Sequence, residues 1–171
     1  MDKKFLFDSV IRECEAIAYI SKNIKEEYLA YRPAESMWST QELMETLSFI
    51  GIYTAEALYH NDFKDKTHDR YYRMVEKHKD QTISEYLTAL DDQKGQLIKF
   101  FETIKPEDLK KRVAYHPLID KLPLGIALQE ITIKFLTGYK MQLFVYLKTL
   151  GEELIGANLW SAKDSPFYSY E

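Results

Sequence analysis

The run Met37-Trp38-Ser39-Thr40-Gln41-Glu42-Leu43 decides the fold. Ser39 and Glu42 stand three apart just before an apolar periodicity. This is the capping-box pattern, in which the Ser39 hydroxyl takes the Glu42 backbone N–H and the Glu42 carboxylate returns the bond. Trp38, just before the cap, is placed to act as the hydrophobic staple. Leu43, Leu47, Ile50 and Ala57 then recur in helical steps, so a helix is expected over about residues 40–59.

Working outward, the same period appears three more times. Upstream, Leu6, Val10, Ile17 and Ile24 form one stripe with Cys14 beside it, giving a helix over about residues 3–28. Arg32-Pro33 closes that segment, because a residue before proline avoids the helical region. Downstream, Thr82-Ile83-Ser84-Glu85 is a second capping box, and Leu87, Leu90, Leu97, Phe101 and Ile104 follow it over about residues 82–103. The last helix spans about residues 124–150, with Leu128, Ile131, Phe135, Tyr139, Gln142 and Tyr146 on one line and Gly151 as its C-cap.

The connections differ in kind. Asn61 to Asp80 is long and charged, with an apolar island at Tyr71, Tyr72, Met74 and Val75, and reads as a crossover that docks through those residues with a short helix. Val113 to Pro123, with two prolines, reads as an ordered loop. In the tail, Leu154, Leu159, Trp160 and Phe167 are expected to fold back on the bundle. Four amphipathic helices with one long crossover describe an all-α four-helix bundle in a single domain, residues 1–171. The long connection between helices two and three lets those two run in the same direction.

Composition narrows the function classes. The 171 residues carry a formal net charge of −4 with both signs interspersed, so no basic stripe exists to bind nucleic acid. The apolar run from Leu122 to Leu150 is broken by Gln129, Glu130, Lys134 and Lys140, so no membrane span is expected. A single cysteine, Cys14, permits no internal disulfide, and Met1-Asp2-Lys3-Lys4 leads straight into the amphipathic pattern. A cytoplasmic location is the expectation.

Tyr31-Arg32-Pro33 followed by Met37-Trp38-Ser39-Thr40-Gln41-Glu42-Leu43 resembles the opening signature of DinB/YfiT-like proteins. Gln142-Leu143-Phe144-Val145-Tyr146-Leu147-Lys148-Thr149-Leu150-Gly151 resembles their closing motif, in the same order and at similar spacing. The resemblance implies a bundle of up-down-down-up topology in which homodimers are common. It also implies a divalent metal held by three histidines, one a turn past the cap on the second helix and two spaced by four on the fourth. In this chain those positions are Thr46, Phe135 and Tyr139. None is histidine, so the resemblance carries the fold and not the metal chemistry.

The remaining chemistry is sparse. The histidines are His60, His68, His78 and His116, and no two stand three or four apart. His60 shares the face of Thr46 but lies about 21 Å along the helix, and no other histidine is expected to reach the three positions. His60, Asp62, Asp65, His68 and Asp69 are interleaved with Lys64, Lys66 and Arg70, the pattern of a solvated segment. Cys14 reads as a buried inert thiol. Lys94, between Leu90 and Leu97, either faces a pocket or lays its stem over apolar surface with the ammonium in water.

Phe135 and Tyr139 either fill the hollow of the absent metal or, with Thr46, Gln142 and Lys94, line a metal-free pocket. The reading taken forward is a non-catalytic, metal-free, homodimeric module that binds a small molecule without a cofactor. An enzyme of the family's thiol-transferase or hydrolase type using another site, and a purely structural bundle, are the alternatives.

Overall fold

The computed structural model describes residues 2–64 and 68–161. Asp65, Lys66 and Phe167 therefore lie outside the described residues. Asp2 opens α1 (Lys3–Ser21), its carboxylate accepting the Lys4 N–H at 2.8 Å. The helix is shorter than the sequence period suggests. The Asn23 side chain donates to the Ile20 carbonyl at 3.1 Å and so satisfies the helix end. Ile24 and Tyr28 remain buried, but on an irregular stretch that ends in a 3-10 turn at Glu26–Tyr28.

The Ser39 box forms in full and starts α2 (Thr40–Leu47). The expected second helix is then broken, resuming as α3 (Ile50–His60). At the break the Ser48 hydroxyl turns back to the Met44 carbonyl at 2.7 Å, and Phe49 leaves the helical region at φ −141°. A hydroxyl bonding back onto its own helix favours a bend. The buried amide of Gln93 takes up the groups freed there. Its Oε1 accepts from Gly51 N at 2.7 Å and Ile52 N at 3.3 Å, and its Nε2 donates to the Leu47 carbonyl at 2.7 Å.

The crossover contains a 3-10 turn at Asp62–Lys64 and the short helix α4 (Asp69–His78). Next come α5 (Ile83–Thr103), opened by the Thr82 box, and the single turn α6 (Asp108–Lys111). The segment expected as a loop is instead an antiparallel hairpin, β1 (Val113–His116) with β2 (Asp120–Pro123). Asn61, left-handed at the end of α3, straps its first strand: Oδ1 accepts from Tyr115 N at 3.0 Å and Nδ2 donates to the Val113 carbonyl at 3.1 Å. A side-chain amide thus serves as the missing neighbour strand.

The fourth rod runs through α7 (Leu124–Ala127), a π-helical segment at Leu128–Ile133 and α8 (Lys134–Thr149). Gly151 ends it at φ +94°, a conformation that glycine adopts without strain. A last helix, α9 (Gly156–Trp160), packs on α1 and α8, burying Leu154 and Leu159 and leaving Trp160 exposed. The wide turn of the π segment shifts the helical phase. The buried line on α8 becomes Leu136, Lys140, Leu143 and Leu147, and Phe135 and Tyr139 turn to the flank.

The architecture is all-α apart from the hairpin. α1 packs on α5 and α8, and the second rod packs on the same two helices through α3 and α2 respectively. The Lys3 ammonium donates to the Ile104 carbonyl, so the start of α1 meets the end of α5. α2 and α5 begin together, where Gln41 reaches Asp80 at 3.0 Å. α3 and α5 end together, where the rings of Tyr59 and Phe100 meet at 5.6 Å. No helix among the described residues is long and apolar enough to cross a membrane.

Candidate functional site

Three features of the chain converge on one cleft. The break after α2 lets α3 present Ile50, Tyr53 and Thr54 to it, the crossover lays Phe63, Tyr71 and Tyr72 alongside, and the phase shift points Phe135 and Tyr139 the same way. The strapped hairpin contributes His116 and Pro117, and His68 stands at the start of α4. The cleft is open to solvent and has a volume of about 310 Å³.

The walls are rings meeting at steep angles. Tyr71 meets Tyr53 at 5.6 Å and 61°, and Tyr53 meets Phe63 at 5.8 Å and 86°. Phe63 meets His116 at 4.4 Å and 78°, and His116 meets Phe135 at 6.0 Å and 81°. Phe135 meets Tyr139 at 6.0 Å and 60°. Edge-to-face contact matches the positive rim of one ring to the negative face of the next. Behind Tyr139, Trp38 stacks at 5.3 Å and 22°.

Burial sets the charge state of this wall. It raises the phenols of Tyr53, Tyr71 and Tyr139 above their ordinary range and lowers the His116 imidazole, so all four are neutral at pH 7. His116 Nδ1 accepts the Leu118 N–H at 3.2 Å, which places its proton on Nε2. Among the described residues no lysine, arginine, aspartate or glutamate lines the cleft. Arg70 stands 5.8 Å from the Tyr53 ring centre and is held by Asp62 at 3.0 Å and by Glu56.

Of the five residues grouped from the sequence, two meet here, Phe135 and Tyr139. Thr46 is buried but does not line the cleft. Gln142 donates to the Tyr146 hydroxyl at 2.7 Å, which donates to the Trp38 carbonyl at 2.9 Å, so this pair holds the entry to α2. Lys94 lies on the α1 side of α5, paired with Asp91 at 3.3 Å and close enough to Cys14 to influence its thiol. The helix row assigned to it belongs to Gln93, since Tyr86, Leu90, Gln93, Leu97 and Phe100 alternate in steps of four and three. Cys14 is buried, and burial pushes its thiol up to about 12, which makes it inert.

One expectation is overturned. His116 does reach one of the three positions, packing edge-on against Phe135, because a hairpin rather than a loop folds it over α8. Val113 and Tyr115, two strand-favouring residues just before Pro117, were the available signal. The donor set at the positions the resemblance marks does not fit a metal. Phe135 has no lone pair, burial keeps the Tyr139 phenol protonated, and Thr46 is a weak ligand. Among the described residues, no group of three or more histidine, cysteine, aspartate or glutamate side chains is arranged to hold one.

No protein-family model matches the sequence, and no curated protein matches it. Among solved structures, the chain is similar to a DinB-like protein, YjoA, from Bacillus subtilis. The TM-score is 0.67 at 16% identity, covering 88% of this chain and 94% of that one. The fold is therefore DinB-like.

Proposed function

We propose that this chain is a metal-free, non-catalytic DinB-like protein that binds a small organic molecule in the aromatic cleft. The observation that carries the reading is the placement of Phe135 and Tyr139. They stand where the resemblance marks two metal ligands, and they form one wall of an open cleft. A side chain that merely plugged a hollow would belong to the core. These two are only half-buried and continue a ring wall drawn from three other parts of the chain. An apolar concavity with a few hydroxyls at its edge is the usual makeup of a ligand site.

The same reading places the chain in the cytoplasm as a homodimer. Met141 and Val145, exposed one turn apart on α8, support a symmetric apolar seam. Light scattering at micromolar concentration tests the pairing.

Trp38 provides the readout for binding, since its indole stacks on Tyr139. A library of small aromatic and alkyl fragments is titrated against the Trp160→Phe protein, leaving Trp38 as the single indole. Binding that quenches or shifts Trp38 emission and is lost in Phe135→Ala and Tyr139→Ala is the expected result. Fragments that bind equally well to both variants, or none that bind, would remove the reading.

A further inference from the structure

The cleft differs from a plain hydrophobic pocket in being walled by π-systems. Its ring contacts run from Tyr71 through Tyr53, Phe63, His116 and Phe135 to Tyr139, each turning by 60° to 86°. Tyr71 and Tyr139, the two ends of the row, line the same cleft. The row is a box of rings and not a flat stack.

The charges around the box have one sense. Among the described residues no lysine or arginine side chain lines it, and burial keeps His116 neutral. The nearest guanidinium, Arg70, is matched by two carboxylates, Glu56 and Asp62, so that cluster carries one net negative charge. Its position 5.8 Å from the Tyr53 ring centre is itself a cation–π contact. An anionic ligand would be stripped of water with no cation to meet it. A neutral aliphatic ligand would leave the ring quadrupoles unused.

We infer that the ligand carries a compact organic cation of the methylated-ammonium class, seated among the rings of Tyr53, Phe63, Tyr71, His116, Phe135 and Tyr139. This rests on the reading that the cleft is a binding site. A methylated ammonium is weakly hydrated and makes no directional hydrogen bonds. It therefore loses little on entering a cavity that no carboxylate lines among the described residues, and every ring face it meets attracts it.

The experiment compares two isosteres on the full chain by calorimetry, choline and 3,3-dimethylbutan-1-ol, which differ by one quaternary atom and its charge. Choline is expected to bind about tenfold more tightly than the alcohol. Phe135→Leu and Tyr72→Leu keep apolar bulk and remove a π-face. Tyr72 lines the same cleft, with its ring against Tyr71 at 5.7 Å, and is largely exposed, so its variant tests the idea without burdening the fold. Both are expected to weaken choline and leave the alcohol nearly unchanged. Equal or tighter binding of the alcohol, still lost in Tyr139→Ala, would overturn the cation and leave the cleft standing as a ligand site. Failure of choline to bind at millimolar concentration would also overturn the cation, and the fragment titration then decides the cleft by itself.

Discussion

The side-chain carbonyl of Gln93 accepts the backbone N–H of Gly51 at 2.7 Å, across the break between α2 and α3. The other end of the same amide donates to the Leu47 carbonyl. One fully buried side chain therefore replaces the intrahelical bonds lost at the break. Gln93→Leu keeps the bulk and leaves buried N–H and C=O groups unpaired. It is expected to cost about 2–4 kcal/mol in urea unfolding. Gly51→Ala puts a methyl 3.0 Å from Gln93 Oε1 and 3.2 Å from Leu136, and is expected to cost about 1–2 kcal/mol through crowding. A near-neutral Gln93→Leu would mean that the break needs no bridge.

Lys140 and Glu13 form a second buried polar device. The Lys140 side chain is 1% exposed, its ammonium 2.8 Å from Glu13 Oε2 and 5.1 Å from the Trp160 ring centre. Removing one partner leaves a charge with no counterion in low dielectric, whereas removing both charges leaves a neutral packed patch. Lys140→Met alone is expected to destabilise by about 3–5 kcal/mol, and the double variant with Glu13→Gln to recover most of it. The cycle is read from urea midpoints. Additive losses would show that the two side chains do not act as a pair.

How far the sequence could be read follows from which interactions are local. Ser39 and Glu42, or Thr82 and Glu85, lie within four residues of each other, and both boxes form as their spacing indicates. The break at Ser48 depends on Gln93, about forty residues away, and no local pattern announces it. The burial of Lys140 hangs on the π segment, whose extra width re-phases α8. The row Leu136, Lys140, Leu143, Leu147 was present as a period, but a lysine in it reads naturally as an interruption. At the site, Phe135 and Tyr139 were found through a motif. Tyr53 comes from α3, Phe63 and Tyr71 from the crossover and His116 from the hairpin, and only tertiary packing fixes how these parts dock.

Tyr146 couples the fourth rod to the entry of the second. Its hydroxyl donates to the Trp38 carbonyl at 2.9 Å and accepts from Gln142 at 2.7 Å, beside the cap that starts α2. Tyr146→Phe keeps the ring, which also meets Tyr31 edge-on at 5.6 Å, and removes only the oxygen. A loss of about 1–2 kcal/mol is expected, with a change in Trp38 emission as its stacking on Tyr139 loosens. Unchanged emission together with unchanged stability would show the hydroxyl to be idle.

Two buried histidines give stability a defined pH dependence. His116 packs against Phe63 and Phe135, and His78 stacks on Phe49 at 5.9 Å with Gln81 at 3.4 Å from its Nδ1. Burial lowers both imidazoles below the ordinary value of 6.5, with Lys77 adding to the effect at His78. Below 6.5 the unfolded chain takes up protons that the folded chain refuses, so unfolding gains. The stabilisation is complete above the ordinary value and is lost as pH falls through it toward the lowered folded values. Glu85 and Glu152, held down by their hydrogen bonds, stay ionised throughout this window. Glu45, raised by burial, works in the opposite direction. The histidines are therefore isolated by substitution. The urea midpoint is expected to fall between pH 7.5 and pH 5, and His116→Gln and His78→Gln are each expected to shrink that fall. An imidazolium at position 116 would also place a positive charge inside the ring box, so choline affinity should fall over the same range in the parent chain and stay level in His116→Gln. A midpoint that is flat with pH, or a slope that neither variant alters, would show that these imidazoles are not held neutral by the fold.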